Sequence, residues 1–170
     1  MPSKTLFVRT AFVGAVLFLG SIAAATGVAG HSAVTSGHQT NATPWGAPGD
    51  PSKVTRTVTI IATEIKFNVS QLTFRQGDTV KFVFVNKGVQ PHELMIADHA
   101  EQVEHRRLMA EMAGMTMPAG SHPAEGNVVD AKPGETKVLI WSFTKKGKFE
   151  FGCNYVGHAE SGMIGTITVR

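Results

Sequence analysis

Three residue types that bind soft metal ions lie close together near the end of the sequence. Cys153, which is the only cysteine among the 170 residues, is followed at equal spacing by His158 and Met163. A thiolate, an imidazole and a thioether are ligands that suit redox-active copper, whereas magnesium and calcium prefer oxygen ligands. Structural zinc is a poorer match, because it takes four Cys or His ligands. The spacing therefore predicts a copper site on this loop.

A further ligand is expected from His92, which lies far away in the sequence. This histidine follows the apolar run 80–85 and a turn, and it begins a second apolar run that extends to Ala97. Alternate residues of a strand point to the same face of a sheet. His92 therefore shares a face with Leu94 and Ile96.

The same alternation predicts that the other ligands face the core. Cys153 shares its face with Phe149 and Phe151, and Met163 shares its face with Ile167 and Val169. His158 lies in the loop between Cys153 and Met163, where a turn flanked by glycine can bring its ring back toward the sulfur. Convergence of four inward-facing side chains is the arrangement that a metal site needs.

Each of these residues also has a simpler explanation when it is considered alone. A single buried cysteine is usually a small hydrophobic residue, a single histidine is usually a surface residue, and methionine often fills gaps in a core. All of these simpler explanations would have to be true at the same time for residues that lie at this spacing in one loop after a strand. We therefore favour the metal site.

The loop resembles the copper loop of the cupredoxins, and its spacing is similar to that of rusticyanin and auracyanin. The resemblance covers residues 54–170 and implies an all-β fold, an antiparallel Greek-key β-sandwich, that holds one type 1 (blue) copper ion. It implies His92, Cys153 and His158 as strong ligands and Met163 as a weak axial ligand. Better-known members often have Asn or Ser after the first histidine, whereas this chain has Glu93.

The resemblance also implies a function, which is the transfer of single electrons between redox partners that dock near His158. We expect no enzymatic activity, because copper oxidases need further copper centres built from His-x-His pairs, and this sequence has none. An alternative is copper tolerance or delivery. It is suggested by the residues that could form a second, softer copper site: His105, Met109, Met112, Met115, Met117 and His122.

The N-terminal part of the chain has the composition of a targeting segment. Lys4 and Arg9 precede an apolar stretch at 11–19 and small residues up to Gly30, which predicts a secretory signal peptide over residues 1–30. The protein is then periplasmic or extracellular. An uncleaved membrane anchor is the alternative, because the apolar and small residues together are about as long as a membrane span.

Composition separates the rest of the chain into a linker and one domain. Residues 31–52 are rich in Ser, Thr, Gly, Pro and Asn, which predicts a flexible linker, and residues 53–170 are the right size for one domain. Without Lys4 and Arg9, 14 of the 16 basic residues remain against 13 acidic ones, so the net charge is +1. Such a charge does not favour nucleic-acid binding. We expect a monomer.

Short runs rich in Val, Ile, Phe and Thr predict the strands of the sandwich. The predicted strands span residues 57–62, 72–74, 79–85, 92–97, 137–143, 148–153 and 164–169. One segment differs, because residues 100–117 are good helix formers and predict a helical insertion of about three turns. Leu108, Met112 and Met115 lie at helical spacing, so they are expected to pack on the sandwich rather than to bind metal.

Overall fold

The structure is a computed structural model, and it describes residues 42–113 and 126–170. Within these residues, ten strands form two five-stranded sheets. The strands are β1 (Ala47–Pro48), β2 (Arg56–Thr63), β3 (Lys66–Phe67), β4 (Gln71–Phe74), β5 (Thr79–Asn86), β6 (His92–Ala97), β7 (Val128–Ala131), β8 (Thr136–Ser142), β9 (Gly147–Gly152) and β10 (Ile164–Val169). A 3₁₀ turn covers Pro51–Lys53, and one α-helix, α1, covers His99–Glu111.

The two sheets have the strand orders β1-β8-β5-β2-β3 and β4-β10-β9-β6-β7. Most neighbouring strands are antiparallel, but β2 pairs with β5 and β4 pairs with β10 in parallel. The purely antiparallel sandwich implied by the resemblance is therefore corrected to a sandwich of two mixed sheets. The all-β fold class with one short helix is confirmed.

A core rich in aromatic side chains lies between the sheets. Phe74 stacks on Phe143 with 4.9 Å between ring centroids, and Phe82 packs edge-on against both rings. Trp141 and Phe151 are fully buried as well. Burial of a large apolar side chain stabilises the fold by about 1.5–3 kcal/mol, so this core fixes the position of the strands that lead to the site.

Helix α1 follows β6 directly and was predicted in nearly this position. Its N-terminus is capped by Asp98, whose side chain accepts a hydrogen bond from the N–H of Glu101 at 2.9 Å. The residues that the helix buries are Gln102 and His105. The prediction that Leu108 and Met112 provide the packing face is therefore only partly right, because both are half-buried and the fully buried contacts are polar.

The folded part of the chain begins earlier than composition indicates. Residues 42–52 were assigned to the flexible linker, yet Trp45 is only 7% exposed and Ala47–Pro48 pairs with β8. The indole N–H of Trp141 donates to the carbonyl of Trp45 at 3.2 Å, which holds this segment against the sheet. The predicted signal peptide and residues 31–41 of the linker lie outside the described residues. No helix in the described ranges is long and apolar enough to cross a membrane.

Candidate metal centre

The side chains of His92, Cys153 and His158 converge on one point. One potential ligand atom from each of them lies within 4.8 Å of the others, and all three residues are buried. The sulfur of Cys153 is 3.3 Å from Nδ1 of His158 and 3.9 Å from Nδ1 of His92. Both histidines thus present the same ring nitrogen to the sulfur. A metal ion bound by all three would complete a trigonal arrangement.

Backbone hydrogen bonds join the two ends of the loop that carries three of the four predicted ligands. The N–H of Cys153 donates to the carbonyl of Met163 at 3.1 Å, and the N–H of Met163 donates to the carbonyl of His158 at 3.0 Å. Gly157 and Gly162 have φ values of +83° and +95°, which residues with side chains rarely adopt. These turns and backbone hydrogen bonds return the chain to Cys153, and Met163 is fully buried.

His92 is placed by strand pairing and by a carboxylate. It begins β6, whose later residue Met95 pairs with Gly152 just before Cys153. Its Nε2 makes no hydrogen bond to the described residues and lies 3.8 Å from a carboxylate oxygen of Glu64. Glu64 is itself held by the N–H groups of Val89 and Gln90. The carboxylate favours a proton on Nε2, so Nδ1 is left free to bind a metal.

Burial shifts the protonation of the site in a direction that suits metal binding. Loss of solvent raises the pKa of the Cys153 thiol to about 12, although an N–H donated by Glu93 opposes that rise. Burial lowers the pKa of His92 and of His158. Both imidazoles are therefore neutral at pH 7, with lone pairs that can bind a metal. The thiol, by contrast, must lose its proton when a metal binds.

Glu93, the residue after His92, is fully buried. Its backbone N–H points at the sulfur of Cys153 at 3.4 Å, and its Oε1 accepts two hydrogen bonds from Asn154, one from the backbone and one from the side chain, both at 2.8 Å. Its Oε2 lies 3.3 Å from Nε2 of His105. The residue that departs from the better-known cupredoxins is thus connected to the cysteine loop and to helix α1.

Two small apolar residues of the loop are exposed close to His158 in the sequence. Val156 is 63% exposed and Gly157 is also exposed, while the neighbouring His158 is only 7% exposed. Ala159, on the other side of His158, is buried. Tyr155 lies between the loop and β7, with its hydroxyl donating to Asp130 at 3.3 Å and its ring 5.9 Å from that of His158.

Sequence reasoning did not identify the residues that support the site. Polar residues are usually expected at the surface, and nothing in the sequence indicates that Asn154, Gln102 and His105 are buried together. Of the proposed second copper site, Met109 on helix α1 and Met112 directly after the helix are half-buried, and His105 contacts Glu93. Met115, Met117 and His122 lie outside the described residues.

Comparison with known proteins identifies the family. Residues 54–170 match the family of copper binding proteins described as plastocyanin/azurin. A copper-resistant cuproprotein CopI from Rubrivivax gelatinosus is 37% identical over 147 residues, which cover 84% of this chain and 86% of that protein. A protein of the same description from Vibrio cholerae is 37% identical over 125 residues, which cover 72% of this chain and 70% of that protein.

Solved structures show the same fold at lower identity. Auracyanin B has a TM-score of 0.58 at 20% identity, covering 74% of this chain and 96% of its own. Reduced auracyanin from Roseiflexus castenholzii has a TM-score of 0.57 at 22% identity, covering 69% and 98%. The matched family, the soft donor set and the neutral imidazoles agree with one copper ion as the cofactor. This chain belongs to the plastocyanin/azurin family of copper-binding proteins, the cupredoxins.

Proposed function

We propose that the chain binds its copper ion through His92, Cys153, His158 and Met163 and that it transfers one electron at a time. The observation that carries this proposal is the approach of two Nδ1 atoms to one buried sulfur, at 3.3 and 3.9 Å. Met163, at the end of the same loop, would supply a further, weak ligand. A trigonal His₂Cys set with an axial methionine is the ligand set of blue-copper electron-transfer sites.

The bound copper supplies a one-electron couple, Cu(I)/Cu(II), and the protein supplies a fixed environment for it. Strand β6 holds His92, and the closed loop holds Cys153, His158 and Met163, so few atoms need to move when an electron arrives. The buried position excludes water, which favours the ion of lower charge. The exposed surface at Val156 and Gly157 offers a redox partner protein a short path to His158. We propose no enzymatic turnover.

A second candidate function is copper tolerance. It is favoured by the relatives, which are described as copper-resistant cuproproteins and of which the Rubrivivax gelatinosus protein is 37% identical to this chain. In this role the same site would hold copper in an exported protein. Export itself is proposed from the apolar stretch that follows Lys4 and Arg9.

Two measurements separate these functions. Cyclic voltammetry and electron self-exchange of the copper-loaded protein test the first, and a slow or irreversible couple would argue against an electron carrier. Growth of a deletion strain on copper, complemented with the wild-type gene or with Cys153→Ala, tests the second. Full rescue by Cys153→Ala would show that any tolerance does not depend on this site.

A further inference from the structure

We propose that the buried polar face of helix α1 positions the copper loop, with Gln102, His105 and Glu93 as positioning residues. This inference deepens the proposed function and rests on it, because it assigns residues that fix Cys153 as a ligand. This face consists of Gln102, His105 and Arg106, which lie on one side of the helix. Gln102 is fully buried and His105 is 4% exposed.

The connection to the loop is made through Asn154, the residue directly after Cys153. The side-chain N–H₂ of Asn154 donates to Oε1 of Gln102 at 2.9 Å and to Oε1 of Glu93 at 2.8 Å. Its side-chain oxygen accepts from the guanidinium of Arg106 at 3.3 Å. The backbone N–H of Asn154 also donates to Glu93 at 2.8 Å. One buried residue therefore joins the strand that carries His92, the cysteine loop and the helix.

Gln102 fixes the helix to the strands on either side of the site. Its N–H₂ donates to the carbonyl of Met95 on β6 at 3.1 Å and to that of Glu150 on β9 at 3.5 Å. Its oxygen is the acceptor for Asn154. Gly152, immediately before Cys153, packs closely against Gln102, because a Cβ at this position would lie only 3.0 Å from the Gln102 oxygen.

His105 contacts the carboxylate of Glu93 rather than Asn154. Its Nε2 lies 3.3 Å from the Glu93 oxygen that Asn154 does not use. Glu93 in turn directs its backbone N–H at the sulfur of Cys153 at 3.4 Å. A hydrogen bond to a ligand sulfur tunes the reduction potential of the metal, so a displacement of Glu93 should change that potential.

Buried polar groups that lose a partner are costly, so removal of one member should loosen the others. A copper-free assay measures this directly. Cys153 is buried and can react with a thiol reagent only when the loop opens, so the reaction rate follows the opening equilibrium. We expect Gln102→Met, which keeps the length of the side chain, to accelerate the reaction about tenfold or more.

Matched variants separate positioning from general damage to the helix. Val103→Ala changes an exposed neighbour on α1 and should leave the rate unchanged. Glu93→Gln keeps an oxygen for Asn154 and an amide for His105, and it should stay within about threefold of wild type, whereas Glu93→Ala should behave like Gln102→Met. Far-UV circular dichroism confirms that each variant is folded.

The copper-loaded protein supplies the second measurement. Gln102→Met, His105→Ala and Glu93→Ala should shift both the reduction potential and the thiolate-to-copper absorption, and Val103→Ala should shift neither. Unchanged thiol rates together with unchanged spectra in folded variants would overturn the inference. Because the thiol assay needs no copper, it also decides the role of the helix if the proposed electron transfer fails.

Discussion

Copper binding should release one proton from Cys153, because burial keeps the thiol protonated at neutral pH. Loss of solvent raises the pKa of the thiol to about 12, so at pH 7 only about one molecule in 100,000 carries a thiolate. A metal binds the thiolate. Each binding event at pH 7 must therefore release about one proton.

The affinity for copper should consequently rise about tenfold for each pH unit above neutrality. Below their lowered pKa values, His92 and His158 add further protons that compete with the metal, so the slope becomes steeper in acid. Between pH 7 and pH 9 the apparent association constant should increase about 100-fold, and the rise should continue above pH 9 because the thiol is still protonated there.

Calorimetric titration in two buffers of different ionisation enthalpy gives the number of protons released. Competition with a chelator of known protonation behaviour gives the slope, and Cys153→Ala is the matched control, which should bind weakly and lack the proton. A slope that flattens near pH 9 would mean an ordinary thiol pKa. Release of no proton at pH 8 would mean that Cys153 is not a ligand, and either result would contradict the expected proton release from a thiol that stays protonated above pH 9.

Three further predictions concern stability and potential. Ionisation of the Cys153 thiol should remove about 4 kcal/mol of unfolding free energy from the copper-free protein between pH 9 and pH 12, because the thiol ionises near pH 9.0 in the unfolded chain but keeps its proton in the folded one. Urea unfolding measures this loss as the difference between the wild type and Cys153→Ala, since other groups that titrate in this range are common to both. Gly165→Ala should lower the free energy of unfolding by about 1–3 kcal/mol in the same assay, because the added Cβ would overlap the ring of Phe151. Unchanged stability would contradict that packing. Met163→Leu should lower the free energy of unfolding by less than about 1.5 kcal/mol. It should nevertheless raise the reduction potential measured by voltammetry, because a weak donor that stabilises Cu(II) is lost. An unchanged potential would mean that Met163 is not a ligand.

The convergence of His92, Cys153 and His158 could be predicted because ligand chemistry and strand alternation are local properties of the sequence. Cys153 and Phe151 share an inward face as expected, and both are fully buried. Alternation was less informative on β6, where all six residues are buried because helix α1 covers the second face. His92 was therefore identified by its chemistry more than by the pattern around it.

The support of the site could not be predicted for a physical reason. Gln102 and His105 are polar residues on a helix, and polar residues usually face water. They are buried because Asn154 and Glu93 offer partners, and those partners are distant in the sequence, 52 positions from Gln102 and 12 from His105. Trp45 was missed in a similar way, since its surroundings have the composition of a linker, and only the distant Trp141 shows why it is held.

We propose that one copper ion bound by the Cys153 thiolate carries one electron. A reductive titration of the Cu(II)-loaded protein, followed through its thiolate-to-copper absorption band, tests it most directly. We predict one copper per chain, an intense visible band that is absent from Cys153→Ala, and complete, reversible bleaching by one electron equivalent. A copper-loaded protein without that band, or one that needs more than one electron per copper, would contradict the claim.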